Sequence, residues 1–434
     1  MTNRYTVAVT GQSLIKHDIR DIKHPGYQAI KHLLRQADLS FTNFESTILG
    51  SHGGWPLKGS YFGCSEPAVL DALDDLGFGA LALSNNHAFD LGPSGVLSTL
   101  EEADRRGFLH AGAGRNHAEA TRAGQGIVGS RHIAMVAMDG GPGPDLMYAA
   151  DGGLLRPERP GINRLKLTQV LEVDDTAFEQ LTGIRDRIGY TPTDLANDSQ
   201  PNDPPFVDPD RELALGRTIF RRAGRYGRNV RIDIADFERN LHAITDAAED
   251  GCLVVAYLHH HHWASDWYQV PDWVASVARR CIDAGAAMFL SHGAPVLQPL
   301  EIYRGRPIFY SLGNFIFHVP AKANWQAPEV WESVIACCSF DENNTLTDIE
   351  FHPVVIGGED TMSNPDLSLR RAPRLATGER ATRILRRFQE QSARLGTEID
   401  VEDSIGILRL AIRDIDDNAA TEHRVTRHIR QRTS

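Results

Sequence analysis

The feature that most constrains this chain is a segment in which two short apolar runs each end at histidine. The run Leu253 to Leu258 has the pattern of a buried strand and leads directly into four histidines, His259 to His262. A helical pattern follows, and a second apolar run, Ala286 to Leu290, ends on Ser291-His292-Gly293. Strand, helix and strand in this order predict an α/β fold, and such sheets bind their ligands at the carboxyl ends of their strands. The segment therefore predicts half of a metal site at one sheet edge.

Three earlier strand patterns also end in polar residues. Tyr5 to Thr10 ends at Gly11-Gln12, and Leu39 to Glu45 alternates so that Glu45 falls at the strand end. Gly79 to Leu83 is followed by a polar turn that contains Asn85, Asn86, His87 and Asp90. Taken singly, such a carboxylate is more often a surface residue, and such a turn more often caps a helix. Their repetition at strand ends favours one common site.

Composition narrows the classes of partner. The chain has 434 residues, 41% of them hydrophobic and 24% charged, which is typical of a globular protein of one or two domains. The net charge of −12 argues against a nucleic-acid partner, because phosphate binding requires clustered lysine and arginine. The cysteines are scattered and have no CxxC spacing, which is typical of a reducing cytoplasm. The chain does not start like a signal peptide, and it has no apolar run of about 18 residues. We therefore predict a cytoplasmic protein without a membrane span.

The order of patterns predicts a single domain over residues 1–434 with two additions. Residues 149–229 differ in composition from the rest of the chain. They contain a charged, helical stretch at 175–187 and a segment rich in proline and aspartate at 191–209. We expect a loop-rich excursion that acts as a lid or as a contact in a homo-oligomer, because long loops in compact domains are usually functional or mobile. Residues 375–434 are expected to form a helical C-terminal extension.

The residue types at the strand ends suit a transition-metal ion. On an extended backbone His259 and His261 point to the same side. Together with the Glu45 carboxylate, the Asn86 amide and His292 they form a mixed nitrogen and oxygen set, which suits Zn²⁺, Mn²⁺ or Fe²⁺ rather than Ca²⁺. The alternative for a histidine run is an exposed loop. Its position directly after a buried strand favours the metal site.

His87 and Asp90 are the predicted catalytic residues. His87 lies one residue after Asn86 and is expected to act as the acid or base, with Asp90 orienting its ring. A metal ion beside them would polarise a substrate oxygen and lower the pKa of bound water to about 7. The predicted substrate is a small polar or acidic molecule, and the residues expected to contact it are Tyr61, Phe62, Arg159, Asn163 and Asn314.

The series of motifs resembles the CapA family, the poly-gamma-glutamate capsule-synthesis proteins that share the calcineurin-like metallophosphoesterase fold. The resemblance extends from about Val7 to Phe317 and rests on Asn43-Phe44-Glu45, Ser84-Asn85-Asn86-His87, Gly112-Ala113-Gly114, His261-His262-Trp263, His292-Gly293 and Tyr310-Ser311-Leu312-Gly313-Asn314-Phe315. It implies a four-layer α/β/β/α sandwich with metal ligands at strand ends. The ligands that it implies are Glu45, Asn86, one of the histidines 259–262, and His292.

Two departures from the family pattern predict that one metal site is lost. The family's first strand ends Gly-Asp where this chain has Gly11-Gln12, and the second histidine of its His-Gly-x-His segment is here Pro295. Both positions serve the same metal in the superfamily's two-metal arrangement. We therefore predict a hydrolase with one divalent ion (Zn, Mn or Fe) that acts on an ester, amide or related bond. Two alternatives stay open: a two-metal phosphoesterase, and a non-enzymatic binding protein related to poly-gamma-glutamate capsules.

Overall fold

Nine α-helices lie in the part of the chain that the computed structural model describes, residues 4–59, 62–319, 325–357 and 372–410. They are Pro25–Gln36 (α1), Ala68–Leu76 (α2), Gly92–Arg105 (α3), His117–Thr121 (α4), Asp175–Ile188 (α5), Pro192–Ser199 (α6), Ile234–Glu249 (α7), Asp272–Asp283 (α8) and Gly378–Ala393 (α9). Apolar residues at helical spacing explain how they pack. In α8 the buried side chains of Val274, Val277, Ala278 and Cys281 form one helix face.

The strands in the same ranges are, in chain order, Tyr5–Val9 (β1), Gln12–Leu14 (β2), Leu39–Asn43 (β3), Thr47–Ile48 (β4), Cys64–Ser65 (β5), Ala80–Ala82 (β6), Leu109–Ala111 (β7), Ala113–Gly114 (β8), Gly124–Val128 (β9), Arg131–Asp139 (β10), Gly161–Ile162 (β11), Leu167–Val173 (β12), Glu212–Leu215 (β13), Thr218–Arg222 (β14), Gly227–Ile232 (β15), Leu253–His259 (β16), Met288–His292 (β17), Leu300–Tyr303 (β18), Arg306–Phe309 (β19), Asn314–Phe317 (β20), Glu332–Phe340 (β21), Leu346–Ile356 (β22), Pro373–Leu375 (β23), Asp400–Glu402 (β24) and Ile405–Arg409 (β25).

Two large sheets contain most of these strands. The larger has the order β24-β25-β22-β21-β1-β3-β6-β7 with β23 beside β22, and the smaller has the order β18-β19-β17-β16-β10-β9. In the larger sheet β1, β3, β6 and β7 run parallel, and in the smaller sheet β10, β16, β17 and β19 run parallel. Parallel strands end at the same edge of their sheet, so the predicted polar strand ends fall together. The predicted mixed α/β class is confirmed.

Three hydrophobic clusters hold the sheets and helices together. One joins the two sheets and includes Val7 and Phe41 of the larger sheet and Val255 of the smaller. A second joins α1, α2 and α3 to the larger sheet, and a third joins α7 and α8 to the smaller sheet. Burying each large aliphatic side chain stabilises the fold by about 1.5–3 kcal/mol.

The alternation of side chains along β16 decides where the histidines point. Val255 and Tyr257 belong to the cluster shared by the two sheets, whereas Val254 and Leu258 belong to the cluster with the helices. Successive side chains of a strand alternate between its two faces. His259, the last residue of β16, therefore lies on the side of the smaller sheet that faces the larger one.

Residues 149–229 contain more regular structure than the sequence predicts. Strands β12 to β15 form a four-stranded sheet in the order β13-β14-β12-β15, accompanied by α5 and α6. The helix expected at 175–187 is α5, and the predicted excursion also contains a small sheet and a second helix. The strand pattern was hidden because these strands carry charged residues that pair across the sheet, as Glu212 Oε1 does with Arg221 Nη2 at 2.8 Å.

The end of the described chain adds to the larger sheet. Within the expected helical extension only Gly378–Ala393 (α9) is an α-helix among the described residues, and β23, β24 and β25 join the larger sheet around it. The remainder of the predicted helical extension, residues 411–434, lies outside the described residues. Among the described residues, none of the helices has the length and apolar character needed to cross a membrane.

Candidate metal centre

Three neighbouring strands of the smaller sheet end in a carboxylate or an imidazole. Asp139 ends β10, His259 ends β16 and His292 ends β17, and these residues are partners in register across the sheet. Partners on neighbouring strands place their side chains on the same face. All three residues are buried. The sheet edge thus presents one carboxylate and two imidazoles in a row, facing the larger sheet.

Glu45 and His261 complete a compact group with His259. Each of the three offers one ligand atom, and these atoms lie within 4.8 Å of one another. The Nε2 atom of His259 is 3.8 Å from Oε1 of Glu45 and 3.0 Å from Oδ1 of Asn86. The ring centroids of His259 and His261 are 5.1 Å apart. Four of the five predicted ligands therefore converge, and the fifth, His292, is the register neighbour of His259.

Several buried polar atoms at this point have no hydrogen-bond partner among the described residues. They are Oε2 of Glu45, Nδ1 of His259, Nε2 of His261 and both ring nitrogens of His292. Leaving a buried donor or acceptor unsatisfied costs about 1–3 kcal/mol. Imidazole nitrogens and carboxylate oxygens are also the atoms that zinc, manganese and iron bind in proteins. The donor set fits one divalent metal ion.

Burial sets the protonation of these groups. It lowers the pKa of His259 well below the usual range, and the neighbouring histidines add to the effect. Burial lowers the pKa of His261 and of His292 to about 3, while the backbone of Thr10 acts in the opposite direction on His292. Neutral imidazoles keep the lone pair that binds a metal. Burial raises the pKa of Glu45 to about 8, so a nearby cation is needed to keep this carboxylate ionised at pH 7.

His87 lies beside this group and is hydrogen-bonded to Asp90. The Nδ1 atom of His87 is 2.7 Å from Oδ2 of Asp90, which also accepts a hydrogen bond from the N–H of Gly63 at 2.6 Å. With a carboxylate as acceptor, Nδ1 carries the ring proton and Nε2 is left to accept one. Burial lowers the pKa of His87, although the bond to Asp90 opposes this. The ring is therefore neutral at pH 7.

The turn after His292 requires glycine. Gly293 has a φ of +117°, and a Cβ there would lie 1.9 Å from the carbonyl oxygen of His260. The N–H of His260 in turn donates to the carbonyl of His292 at 3.0 Å. Only a residue without a side chain permits this approach, which keeps the ends of β16 and β17 together. His259 and His292 are thereby held side by side.

The two positions that depart from the family pattern form hydrogen bonds within the protein. Nε2 of Gln12 donates to Oδ1 of Asn314 at 2.9 Å, and Oε1 of Gln12 accepts from the N–H of Gly293 at 3.1 Å. Nδ2 of Asn314 donates to the carbonyl of Val330 at 3.0 Å and to that of Pro295 at 3.4 Å. The nitrogen and the oxygen of both amides are therefore engaged.

A cavity of about 580 Å³ opens beside the centre. Glu45, Asn86 and His261 line it from the group of predicted ligands, and His87 lines it from the predicted catalytic pair. Asn314, predicted to contact substrate, also lines it, as does Phe62. This volume lies within the range of about 300–1,000 Å³ that is usual for small-molecule sites. The cavity brings three of the five predicted ligands and the predicted acid or base to one space.

Comparison with known proteins identifies the family. Residues 6–319 match the family model described as Bacterial capsule synthesis protein PGA_cap. The PGA biosynthesis protein CapA of Bacillus subtilis is 39% identical over 84 residues, which cover 19% of this chain and 21% of that protein. The chain belongs to the CapA family.

Two further relatives cover more of this CapA-family chain. An uncharacterized protein of Sinorhizobium fredii, y4sH, is 30% identical over 453 residues, covering 94% of this chain and 93% of that protein. A probable polyglutamine synthesis accessory protein of Mycobacterium tuberculosis is 23% identical over 280 residues, covering 64% of this chain and 55% of that protein. The similarity to y4sH thus extends well beyond the segment that the family model matches.

In this CapA-family chain, two of the residues predicted to contact substrate are placed elsewhere. Nε of Arg159 donates to the carbonyl of Tyr148 at 3.1 Å, and Nδ2 of Asn163 donates to the carbonyl of Ala137 at 2.9 Å. Both side chains brace backbone segments, and neither lines the cavity. Tyr61 lies outside the described residues.

The four histidines of the run have different surroundings. His260 packs edge-on against Trp273 of α8, with ring centroids 4.8 Å apart. Nε2 of His262 lies 3.1 Å from the carbonyl oxygen of Gly140. The structure therefore brings His259 and His261 to the centre and gives His260 and His262 other contacts.

Sequence reasoning missed Asp139 and Lys58. Burial raises the pKa of Asp139 to about 7, and its Oδ2 accepts hydrogen bonds from Gly141 N–H at 3.0 Å and Tyr148 O–H at 3.2 Å. A signal was present, because β10 is an apolar strand that ends in a ligand-type residue followed by glycine, as β17 does. Lys58 lies in an irregular segment and carried no such signal.

Proposed function

We propose that this CapA-family chain is a hydrolase that uses one divalent metal ion to cleave an ester, amide or related bond of a small polar substrate. The observation that carries the proposal is the convergence of Glu45, His259 and His261, whose ligand atoms lie within 4.8 Å of one another. Buried nitrogen and oxygen atoms of the same group lack hydrogen-bond partners among the described residues. Buried polar atoms are normally paired, so this group fits a site that holds an ion.

Glu45, Asn86, His259, His261 and His292 are the residues that would hold the ion. Zn²⁺, Mn²⁺ and Fe²⁺ suit this mixture of imidazole nitrogens and side-chain oxygens. When bound, such an ion polarises a substrate oxygen and lowers the pKa of bound water to about 7. The chain contributes the arrangement of the ligands, because the register of β16 and β17 fixes two of the imidazoles.

His87 is proposed to move the proton of the reaction. Its Nδ1–H donates to Asp90, so Nε2 accepts the proton of the attacking water and returns it to the leaving group as the bond to that group breaks. The bond between Asp90 and the N–H of Gly63 holds the carboxylate and thus the ring orientation. The lowered pKa of His87 keeps the ring in its basic, neutral form at pH 7.

A single ion is proposed rather than the two of a phosphoesterase. A second ion would need ligands at Gln12 and Pro295, by analogy with the superfamily pattern. The amide oxygen of Gln12 already accepts from the N–H of Gly293, and a proline side chain has no donor atom. In-line phosphoryl chemistry with two ions needs both to stabilise the attacking and the leaving oxygen. The hydrogen bonds of Gln12 therefore support the single-ion proposal.

The finer fold assignment is also a proposal. We infer that the described chain is one domain of the four-layer α/β/β/α metallophosphoesterase type, with the small sheet of β12 to β15 inserted into it. Support comes from the three hydrophobic clusters, which link α1–α3 to the larger sheet, that sheet to the smaller one, and the smaller sheet to α7 and α8.

A capsule-related binding role is the second candidate. It is favoured by the names of relatives, which include a PGA biosynthesis protein and a probable polyglutamine synthesis accessory protein. In that role the cavity would bind part of a polyglutamate chain without cleaving it. The hydrolase is preferred because His87 and Asp90 form a hydrogen-bonded pair suited to proton transfer beside the predicted metal ligands. Binding alone does not require such a pair.

Metal content per chain tests the proposal. Protein purified without a histidine tag is analysed by elemental mass spectrometry, before and after incubation with Zn²⁺, Mn²⁺ and Fe²⁺. About one ion per chain supports the single-ion hydrolase. Two ions per chain would revive the phosphoesterase, and none after incubation would overturn both.

Turnover is then measured on the loaded protein with a panel of small esters and amides. Every active substrate is repeated with His87→Gln, which keeps a polar side chain of similar size but cannot transfer the proton. Activity that disappears in this variant belongs to the protein. Activity that persists unchanged points to a contaminant and contradicts the role given to His87.

A further inference from the structure

We propose that the cavity beside the metal centre selects an organic anion that carries a flat apolar group next to the scissile bond. The inference deepens the proposed function by naming the substrate class, and it rests on that function for the place where the bond is cleaved. Two sides of the cavity carry the argument. One side presents lysine ammonium groups, and the other presents aromatic rings.

The lysine side consists of Lys16 and Lys58. Nζ of Lys58 donates to the carbonyl of Asn86 at 2.8 Å and lies 3.7 Å from Oδ1 of Asp90. Nζ of Lys16 donates to the carbonyl of Phe62 at 3.0 Å. An ammonium group has three donors, so Lys58 keeps a donor for a ligand after its two contacts. The two carbonyl bonds hold both positive charges at the wall of the cavity.

The charge around the cavity favours an anion once an ion is bound. The two lysines and a divalent ion together outweigh the carboxylates of Glu45, Asp90 and Asp139 even if all three are ionised. A cleft with an excess of positive charge and low-dielectric walls attracts anions. A carboxylate or similar anionic group on the substrate fits this wall. A cationic substrate would be repelled.

The aromatic side consists of Trp263, Phe317 and Trp325. Trp263 is half-buried, its ring centroid lies 4.9 Å from that of His261, and its Nε1 donates to the carbonyl of His260 at 3.3 Å. The ring of Trp325 packs edge-on against Phe317 with centroids 5.6 Å apart. Aromatic pairs at such separations hold one another in place. These rings offer fixed apolar surface near a predicted metal ligand.

A flat group matches this surface better than a flexible chain. A ring that stacks on a fixed indole gains aromatic contact and loses little conformational freedom on binding. The lysines and the aromatic rings line the same cavity as His261 and His87. A substrate with a ring on one side of its ester or amide bond and an anion on the other would place that bond near the catalytic groups.

Three probe ligands test the selection. Benzoylglycine carries a ring, an amide and a carboxylate, benzoylglycinamide lacks the charge, and acetylglycine lacks the ring. Their affinities for the full chain loaded with Zn²⁺ are measured by isothermal titration calorimetry. We expect benzoylglycine to bind about tenfold more tightly than either of the others, because charge-assisted hydrogen bonds and ring burial each contribute on that scale.

Matched variants assign the preference to the two sides. Lys58→Met should remove the preference for the acid over the amide, and Trp263→Leu should remove the preference for the benzoyl over the acetyl group. Lys16→Met provides a second test of the lysine side. Exposed residues supply the controls: Lys23→Met, and Trp55→Leu at a side chain that is 77% exposed. Circular dichroism checks that each variant is folded.

Equal affinities for the three probes, or no detectable binding of benzoylglycine, would overturn the inference. So would a Lys58→Met variant that weakens all three ligands alike. The proposed function is scored separately on the same preparations. If the protein binds one ion and turns over substrate but shows no preference among the probes, only the proposed substrate class is contradicted. The hydrolase proposal is then still supported. A preference on the loaded protein without turnover would leave an anion-binding cavity and remove the hydrolase.

Discussion

Glu45 and Gln12 line the same cavity, but their polar atoms have opposite surroundings. Oε2 of Glu45 is buried without a partner among the described residues. Both polar atoms of the Gln12 amide are hydrogen-bonded: Nε2 donates to Oδ1 of Asn314, and Oε1 accepts from the N–H of Gly293. Glu45 stands with the residues that match the family's ligands, and Gln12 stands at a position where the chain departs from them. We call the group of predicted ligands around Glu45 the retained half, and the hydrogen-bonded pair of Gln12 and Asn314 the substituted half.

On the single-ion proposal, the difference indicates which contacts replace a lost metal site. Removing a ligand leaves its neighbours with buried, unpaired polar atoms, each costing about 1–3 kcal/mol. In the substituted half, Gln12 and Asn314 form hydrogen bonds with one another and with the surrounding backbone. In the retained half the buried nitrogens and oxygens are left for a ligand from outside the chain. Four predictions, taken from the largest expected effect to the smallest, test this contrast.

Removing a ligand of the retained half should have the largest effect. In His292→Ala we expect metal affinity to fall by more than about 100-fold with the fold intact, which exceeds the loss typical of residues that only orient ligands. Elemental mass spectrometry measures the ion, and circular dichroism measures the fold. His132→Ala, an exposed histidine near the other end of β10, is the matched control. Unchanged metal content in His292→Ala would remove this residue from the ligand set.

Removing the proposed acid or base should separate chemistry from metal binding. In His87→Gln we expect kcat to fall by about 10²–10⁴-fold while the ion stays bound, because positioned proton transfer contributes on that scale. The readout is turnover of the best substrate beside metal content per chain. Loss of both together would mean that His87 supports the retained half structurally, and full activity would exclude it from the proton transfer.

Truncating the substituted half should affect stability and leave the metal in place. Gln12→Ala leaves Oδ1 of Asn314 and the N–H of Gly293 unpaired, so we expect unfolding free energy to fall by about 2 kcal/mol with metal content unchanged. Urea unfolding of metal-free protein measures the loss. Gln36→Ala on the exposed face of α1 is the control. A drop in metal content at unchanged stability would instead make Gln12 a ligand.

Changing the pH by one unit should have the smallest effect of the four, and the quantity that changes is the affinity for the metal ion. The pKa of Glu45 is raised to about 8, so below that pH its carboxyl group holds a proton that the ion must displace. Affinity should rise with pH up to about 8 by about tenfold, or 1.4 kcal/mol, per pH unit and then level off. The histidines add no slope there because their pKa values are lowered. Competition with a chelator measures this, and Glu45→Gln should respond less steeply.

Much of the site could be predicted because its residues end strands. An apolar run followed by a polar residue is visible in one sequence, and parallel strands bring such ends to one edge. Glu45, Asn86, His259, His261 and His292 were predicted in this way. The division of the histidine run also follows from alternation, since residues two apart share a face. The class of the fold followed from the same order of strands and helices.

The rest depends on contacts between distant parts of the chain. Arg159 and Asn163 have polar side chains suited to substrate, but their partners are backbone carbonyls that no local pattern reveals. Lys58 reaches the site from an irregular segment. The small sheet of β12 to β15 was missed because its charged residues pair across strands, which removes the apolar alternation that marks a strand.

The amide bridge of Gln12 also makes one corner of the protein independent of metal supply. It joins the ends of two segments, around Gly293 and Asn314, with bonds that the chain provides for itself. A carboxylate at this position would carry a charge that needs an ion to balance it. On the single-ion proposal, this corner keeps its shape under metal starvation, and only the group around Glu45 lacks its ion. Binding of the proposed ion would then complete an already folded pocket.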